Sequence, residues 1–94
     1  MIDRATFESE LRRDGYDEIL LRDWEPAKLV PEHTHPFDTR ALVLEGEFTL
    51  TCGGTSRRLR AGDVFALAAD TPHAESYGPQ GARFLAGRRK PASA

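Results

Sequence analysis

A single cysteine, Cys52, among 94 residues excludes an intrachain disulfide, and with it the small stapled scaffolds of secreted proteins. A reducing, cytoplasmic setting is the expectation that follows. No apolar run approaches the ~20 residues needed to span a bilayer, so no membrane partner is expected. The opening stretch, MIDRATFESELRR, is charged and helical in pattern, which is not the composition of a secretory leader. There is no Gly-rich phosphate loop, no nucleophile elbow and no helix-turn-helix pattern. Net charge is nearly absent as well, 13 bases against 15 acids giving −2. That balance conceals an asymmetry. Residues 1–50 hold twelve acids and six bases, and residues 51–94 hold three acids and seven bases. The basic half carries no interleaved aromatic or Gly-rich pattern, so solvated strand faces and a basic tail are expected rather than a nucleic-acid partner.

What is present fits a small globular domain. Hydrophobic residues make up 39% and charged residues 30%. A chain this short, without disulfides, needs a bound metal, a dimer interface or an unusually efficient core. Residues 3–14, DRATFESELRRD, predict a helix: Asp3 can cap it, Phe7 and Leu11 share one face, and Gly15 stands where a helix ends. After Gly15 the period becomes two. Short apolar or alternating runs recur at 18–24, 39–45, 47–52, 55–60, 63–68, 72–76 and 82–87. Gly46, Gly53-Gly54, Gly62-Asp63, Asp70-Thr71-Pro72 and Gly78-Pro79 punctuate them as expected turns. Many short strands with regular punctuation predict an all-β sandwich or barrel. The expected layout is one domain over residues 1–94, with a helix at about 3–14, a barrel at about 17–89 and a frayed tail at 90–94.

The chemistry concentrates in three histidines. "PEHTHPFD", residues 31–38, holds His33 and His35 between two prolines, and His73 is the remaining one. On a strand, alternate residues face the same way, so His33 and His35 are expected to point together. Imidazole is a preferred ligand for zinc, copper, iron and nickel, and two imidazoles plus a third from across a barrel form a facial set with open positions. Taken alone, an H-x-H pair reads better as a chance surface pair.

The two segments together are more specific. HTHPFDTRALVLEGEF resembles the first signature of the cupin superfamily, and GDVFALAADTPHAES resembles the second, with Gly62, Asp63, Pro72 and His73 in place. The resemblance implies a small double-stranded β-helix, a jelly-roll barrel, with a short N-terminal helix ahead of it. It also implies a homodimer, a small-molecule ligand, and a divalent transition metal (Fe, Ni, Zn, Cu or Mn) held by His33, His35 and His73. The family's usual fourth ligand is a glutamate, and Thr39 occupies that position here. Ala68 and Asp70 also depart from the second signature. Three neutral imidazoles leave the full charge of a divalent ion on the site, which favours an anionic ligand. Glu75 lies two residues past His73 and shares its parity, so it is the candidate replacement ligand or general base. Phe37 and Thr39 are expected in the pocket. Trp24, Phe48, Phe65, Tyr77 and Phe84 are expected mainly in the core, Cys52 in packing, and Arg40 and Arg83 at the surface. Two functions are implied: a metal-binding small-molecule binder, or a metal-dependent dioxygenase or lyase acting on a small oxygenated or anionic compound.

Overall fold

The structure, a computed structural model, describes residues 2–91. Residues 92–94 of the expected tail lie outside the described residues. One helix, α1 (Arg4–Arg13), precedes six strands: β1 (Glu18–Trp24), β2 (Leu29–His33), β3 (Asp38–Cys52), β4 (Thr55–Arg60), β5 (Val64–Leu67) and β6 (His73–Arg89). The architecture is the expected all-β barrel with a short N-terminal helix, and all strand pairs are antiparallel.

The two long strands organise everything. β6 pairs with β3 along most of its length, from Asp38↔Arg89 to Thr51↔Ala74. β1 and β2 share the other edge of β6, one against residues 82–88 and the other against 73–76. β4 and β5 share the free edge of β3 in the same way. The ribbon then doubles over, so that Phe48 packs on Phe65 and Phe84, and Trp24 on Tyr77. The register between β3 and β6 slips between Val43 and Glu45 and again between Gly46 and Phe48. Those bulges switch which parity faces inward. Ala41 and Val43 line the inner core before them, and Phe48 and Leu50 after them, so both halves present an apolar row to the interior.

This corrects two expectations. Gly46 is not a turn between strands 39–45 and 47–52; β3 runs through it. Gly78-Pro79 likewise ends no strand, because residues 73–76 and 82–87 both belong to β6; residues 78–81 form the bulge between the Tyr77 and Ala82 pairings. The glycines serve the corner itself. Gly46 and Gly81 have φ of 76° and 69°, and a Cβ on Gly46 would collide with the Gly81 carbonyl, one on Gly81 with that of Trp24. β2 had no counterpart among the expected strands, since LVPEH lacks alternation and contains a proline. Pro31 is tolerated there because β2 is an edge strand.

α1 closes the outer face. Asp3 caps it by accepting from Thr6 N–H at 2.8 Å. Phe7 and Leu11 bury against Leu42 and Leu85, with Tyr16 completing the cluster. At the C-terminal end Arg89 donates to the Asp14 carbonyl at 2.8 Å, and Arg40 donates to the Asp14 carboxylate at 2.7 Å. Both guanidinium groups lie over the Tyr16 ring. Hydrogen bonds from Arg13, then Arg40, hold the Asp14 carboxyl at about 2, well below the usual carboxylate range. A depressed carboxylate contributes stability above its unfolded pKa, and that contribution is lost as pH falls through the folded value. Asp14→Asn should therefore flatten the decline in unfolding midpoint between about pH 4 and pH 2, measured by thermal melts across that range. An unchanged acid limb would show that the helix is anchored by packing alone.

Candidate metal centre

Three elements deliver the three histidines. His33 ends β2, His73 begins β6, and the two are paired in register. His35 is not on a strand. It sits in the connection 34–37, so the shared-strand explanation for its direction is corrected. Pro36 follows it and has no N–H to extend the ladder. What holds the connection instead is a hydrogen bond from Asp70 N–H to the His35 carbonyl, 2.7 Å. Asp70 has φ of 63°, so the residue standing in place of the signature's glycine adopts the left-handed conformation that aspartate tolerates. Asp38 faces the same loop rather than the histidines. It accepts from Ala69 N–H at 2.8 Å and from Arg89 at 3.1 Å, and these bonds lower its pKa.

The histidines converge. One ligand atom from each lies within 4.8 Å of the others. Their tautomers suit a cation. His33 Nδ1 lies 2.8 Å from the Pro31 carbonyl and His73 Nδ1 lies 2.9 Å from the Thr71 carbonyl. A carbonyl can only accept, so Nδ1 carries the proton and Nε2 keeps its lone pair. His35 has a lowered pKa, first through desolvation and then through His33, His73 and Arg88. It is thereby kept in the neutral form that metal binding requires. Its ring stacks on Phe37 at 5.0 Å, and Arg88 covers the Phe37 ring at 4.6 Å.

Glu75 faces this cluster. Its Oε2 lies 3.5 Å from His33 Nε2 and 3.7 Å from His73 Nε2. Its Oε1 accepts from the Tyr77 hydroxyl at 2.5 Å. Burial, then that bond, pushes the Tyr77 pKa up, so the phenol stays a donor. Tyr77 is clamped in turn between Trp24 and Phe48, at 5.1 and 5.0 Å. The cavity in front of the histidines measures about 80 Å³. Phe37 and Thr39 line it, as do Glu75, Arg22 and Trp24. Thr39 brings no carboxylate to the position where the signature has one.

Sequence reasoning missed Arg22 and Arg88 as cavity residues, and placed Trp24 and Tyr77 mainly in the core, without Tyr77's bond to Glu75. Arg22, Trp24 and Arg88 alternate along strands with inward parity, but that signal is shared by every inward residue. Arg40 and Arg83 are outside the cavity, bonded to Asp14 and Asp23.

Comparison with known proteins bears on the fold. The family model described as a cupin domain matches residues 20–86. A protein of unknown function from Rhizobium leguminosarum bv. viciae superposes with a TM-score of 0.71 at 18% identity, covering 79% of this chain and 69% of that one. A cupin protein from Bacteroides fragilis gives 0.66 at 24% identity, covering 81% and 67%. A chain from crystal structures of the DMSP lyases RdDddP and RnDddQII gives 0.69 at 19% identity, covering 76% of this chain but 37% of that one. No curated protein matches.

Proposed function

The chain belongs to the cupin family, and from that premise we propose that it is a metal-binding cupin that takes a small molecule at a three-histidine site, with His33, His35 and His73 as the ligands. One observation carries this reading: three imidazoles converge within 4.8 Å, and two of them have Nδ1 tied to backbone carbonyls. The donor set suits a borderline divalent ion such as zinc, iron, nickel or copper better than magnesium or calcium, which prefer oxygen. When bound, such an ion supplies Lewis acidity toward an oxygen atom of the ligand. The chain's own residues do the rest. Phe37 stacks on His35 and restricts its ring, the carbonyls of Pro31 and Thr71 fix the other two rings, and Leu50, Phe65, Leu67 and Phe84 present apolar walls. Metal analysis of protein purified without an affinity tag tests the reading; about one transition-metal equivalent per chain is expected, and none at all sinks it.

A second reading, a lyase or dioxygenase acting on a small oxygenated or anionic compound, draws on Glu75. A carboxylate with one oxygen anchored by Tyr77 and the other facing the histidines is placed to accept a proton from a ligand bound beside them. The superposition on a chain from the DMSP lyase structures is consistent with lyase chemistry on this scaffold. Tyr77→Phe separates the roles, since it removes the hydroxyl and keeps the ring stack. A partner that orients a ligand changes metal affinity or activity by about 10- to 100-fold. If Glu75 is a ligand, Tyr77→Phe should weaken metal affinity by about tenfold. If Glu75 is a base, affinity should hold while turnover falls. A competitive chelator titration reads the first, and a substrate screen with oxygen uptake reads the second.

A further inference from the structure

Two groups in the cavity wall have no counterpart in either role above. Arg22 and Trp24 are neighbours on the inner face of β1, the guanidinium 5.1 Å from the indole centroid. Among the described residues no carboxylate lies within ion-pairing distance of Arg22, although Arg40, Arg83, Arg88 and Arg89 all have one. Arg22 is half-buried and lines the cavity. Beside it, the Trp24 Nε1–H is fully enclosed and out of reach of a bound ligand. A guanidinium at a largely apolar cavity is stabilised when an anionic acceptor reaches it. Glu75 does not fill this need, because its oxygens go to Tyr77 and toward the histidines.

We propose that the cavity takes a small carboxylate, its carboxylate group held by the Arg22 guanidinium and its remaining atoms lying against Leu50, Phe65 and Phe84 toward the histidines. This rests on the cavity being the binding site described above, and it adds the ligand class and the recognising residue. The physical case has three parts. Guanidinium and carboxylate are matched in geometry and charge, which a cationic ligand is not. The cavity, about 80 Å³, is far below the roughly 300–1,000 Å³ of pockets for drug-sized ligands, so the ligand has few heavy atoms. Its walls are largely apolar, which suits a short hydrocarbon portion and disfavours inorganic phosphate, with no apolar surface to bury.

The test uses the only tryptophan of the chain, Trp24, as the reporter. Full-length protein is titrated with acetate, glycolate, pyruvate and butyrate, and with inorganic phosphate and trimethylammonium as contrasts, following intrinsic fluorescence and calorimetric heat. At least one carboxylate should give a saturable response that phosphate and the cation do not. Arg22→Gln should weaken it by about tenfold or more, the scale of a charge-assisted bond. Arg57→Gln, an exposed substitution on β4, should leave it unchanged. An affinity indifferent to Arg22, a preference for phosphate, or no response to any of these carboxylates overturns the proposal. Each titration is run on metal-loaded and on chelator-treated protein. Absence of metal binding with an intact Arg22-dependent response sinks the metal reading alone, and an Arg22-independent response in metal-loaded protein sinks this one alone.

Discussion

His73→Ala should abolish metal binding while leaving the barrel folded. His73 is 3% exposed, the one buried polar residue among those described, and it supplies the ligand that comes from β6. Its removal leaves His33 on the edge strand and His35 on a connection, two donors without the third imidazole that β6 sets opposite the first of them. Metal content should fall from about one equivalent to near zero after gel filtration. The linked stability should vanish too. A ligand present at 100 times its Kd stabilises the folded state by about 2.7 kcal/mol, which in a domain of this size is a rise in Tm of roughly 10 °C or more. Wild-type protein should show that rise when zinc or nickel is added, and His73→Ala should not. The metal-free proteins should melt within a few degrees of each other, because the variant loses one imidazole bonded to a local carbonyl and no large apolar surface. Equal metal content in the two proteins would falsify the three-histidine reading.

Phe48→Ala should cost about 3–5 kcal/mol, the range for removing a buried phenyl ring. Phe48 is 2% exposed and touches the rings of Phe65, Tyr77 and Phe84, so it joins both halves of the doubled ribbon. A domain of this length has about 5–14 kcal/mol of total stability, so the variant sits near the edge of folding at 37 °C. Urea unfolding should show a lower midpoint, and the loss should be partly recovered by added metal, since the ligands do not touch Phe48. A subtler consequence follows through Tyr77. Its ring loses one of two stacking partners, so the hydroxyl that anchors Glu75 loses support. A Phe48→Leu variant, which keeps most of the volume, should retain the fold. A midpoint for Phe48→Ala within about 1 kcal/mol of wild type would mean the two layers are held by something other than this aromatic stack.

Much of this was legible because the informative residue types are scarce. Three histidines among 94 residues, two of them one residue apart and one after a proline, leave few arrangements, and the glycine-containing signatures bound them to one fold. Alternation exposed β1 and β5 because their faces differ in burial. The bulges near Gly46 were not legible. A glycine with positive φ looks the same locally whether the chain reverses or continues through a corner, and only the partner strand decides. His35 was given the right company for the wrong reason: its direction comes from Asp70 and a proline-flanked connection, not strand parity. Arg22 escaped notice because an inward arginine on an alternating strand has the sequence pattern of an outward one. Its missing partner is visible only when the distances to every carboxylate are known.

The position of β6 has a consequence for how the molecule comes together. It is, with β3, one of the two central strands of the sheet, and the last described strand in chain order. Every earlier strand except β4 and β5 pairs with it directly, and those two are reached only through β3. A nascent chain emerging from the ribosome can therefore form the β3–β4 hairpin early, but it has nothing to seat β2 against until residues 73–76 are free, and nothing for β1 until residues 82–88 are. Barrel closure is thus a late, largely non-local event, and the half-made sheet presents open edges while it waits.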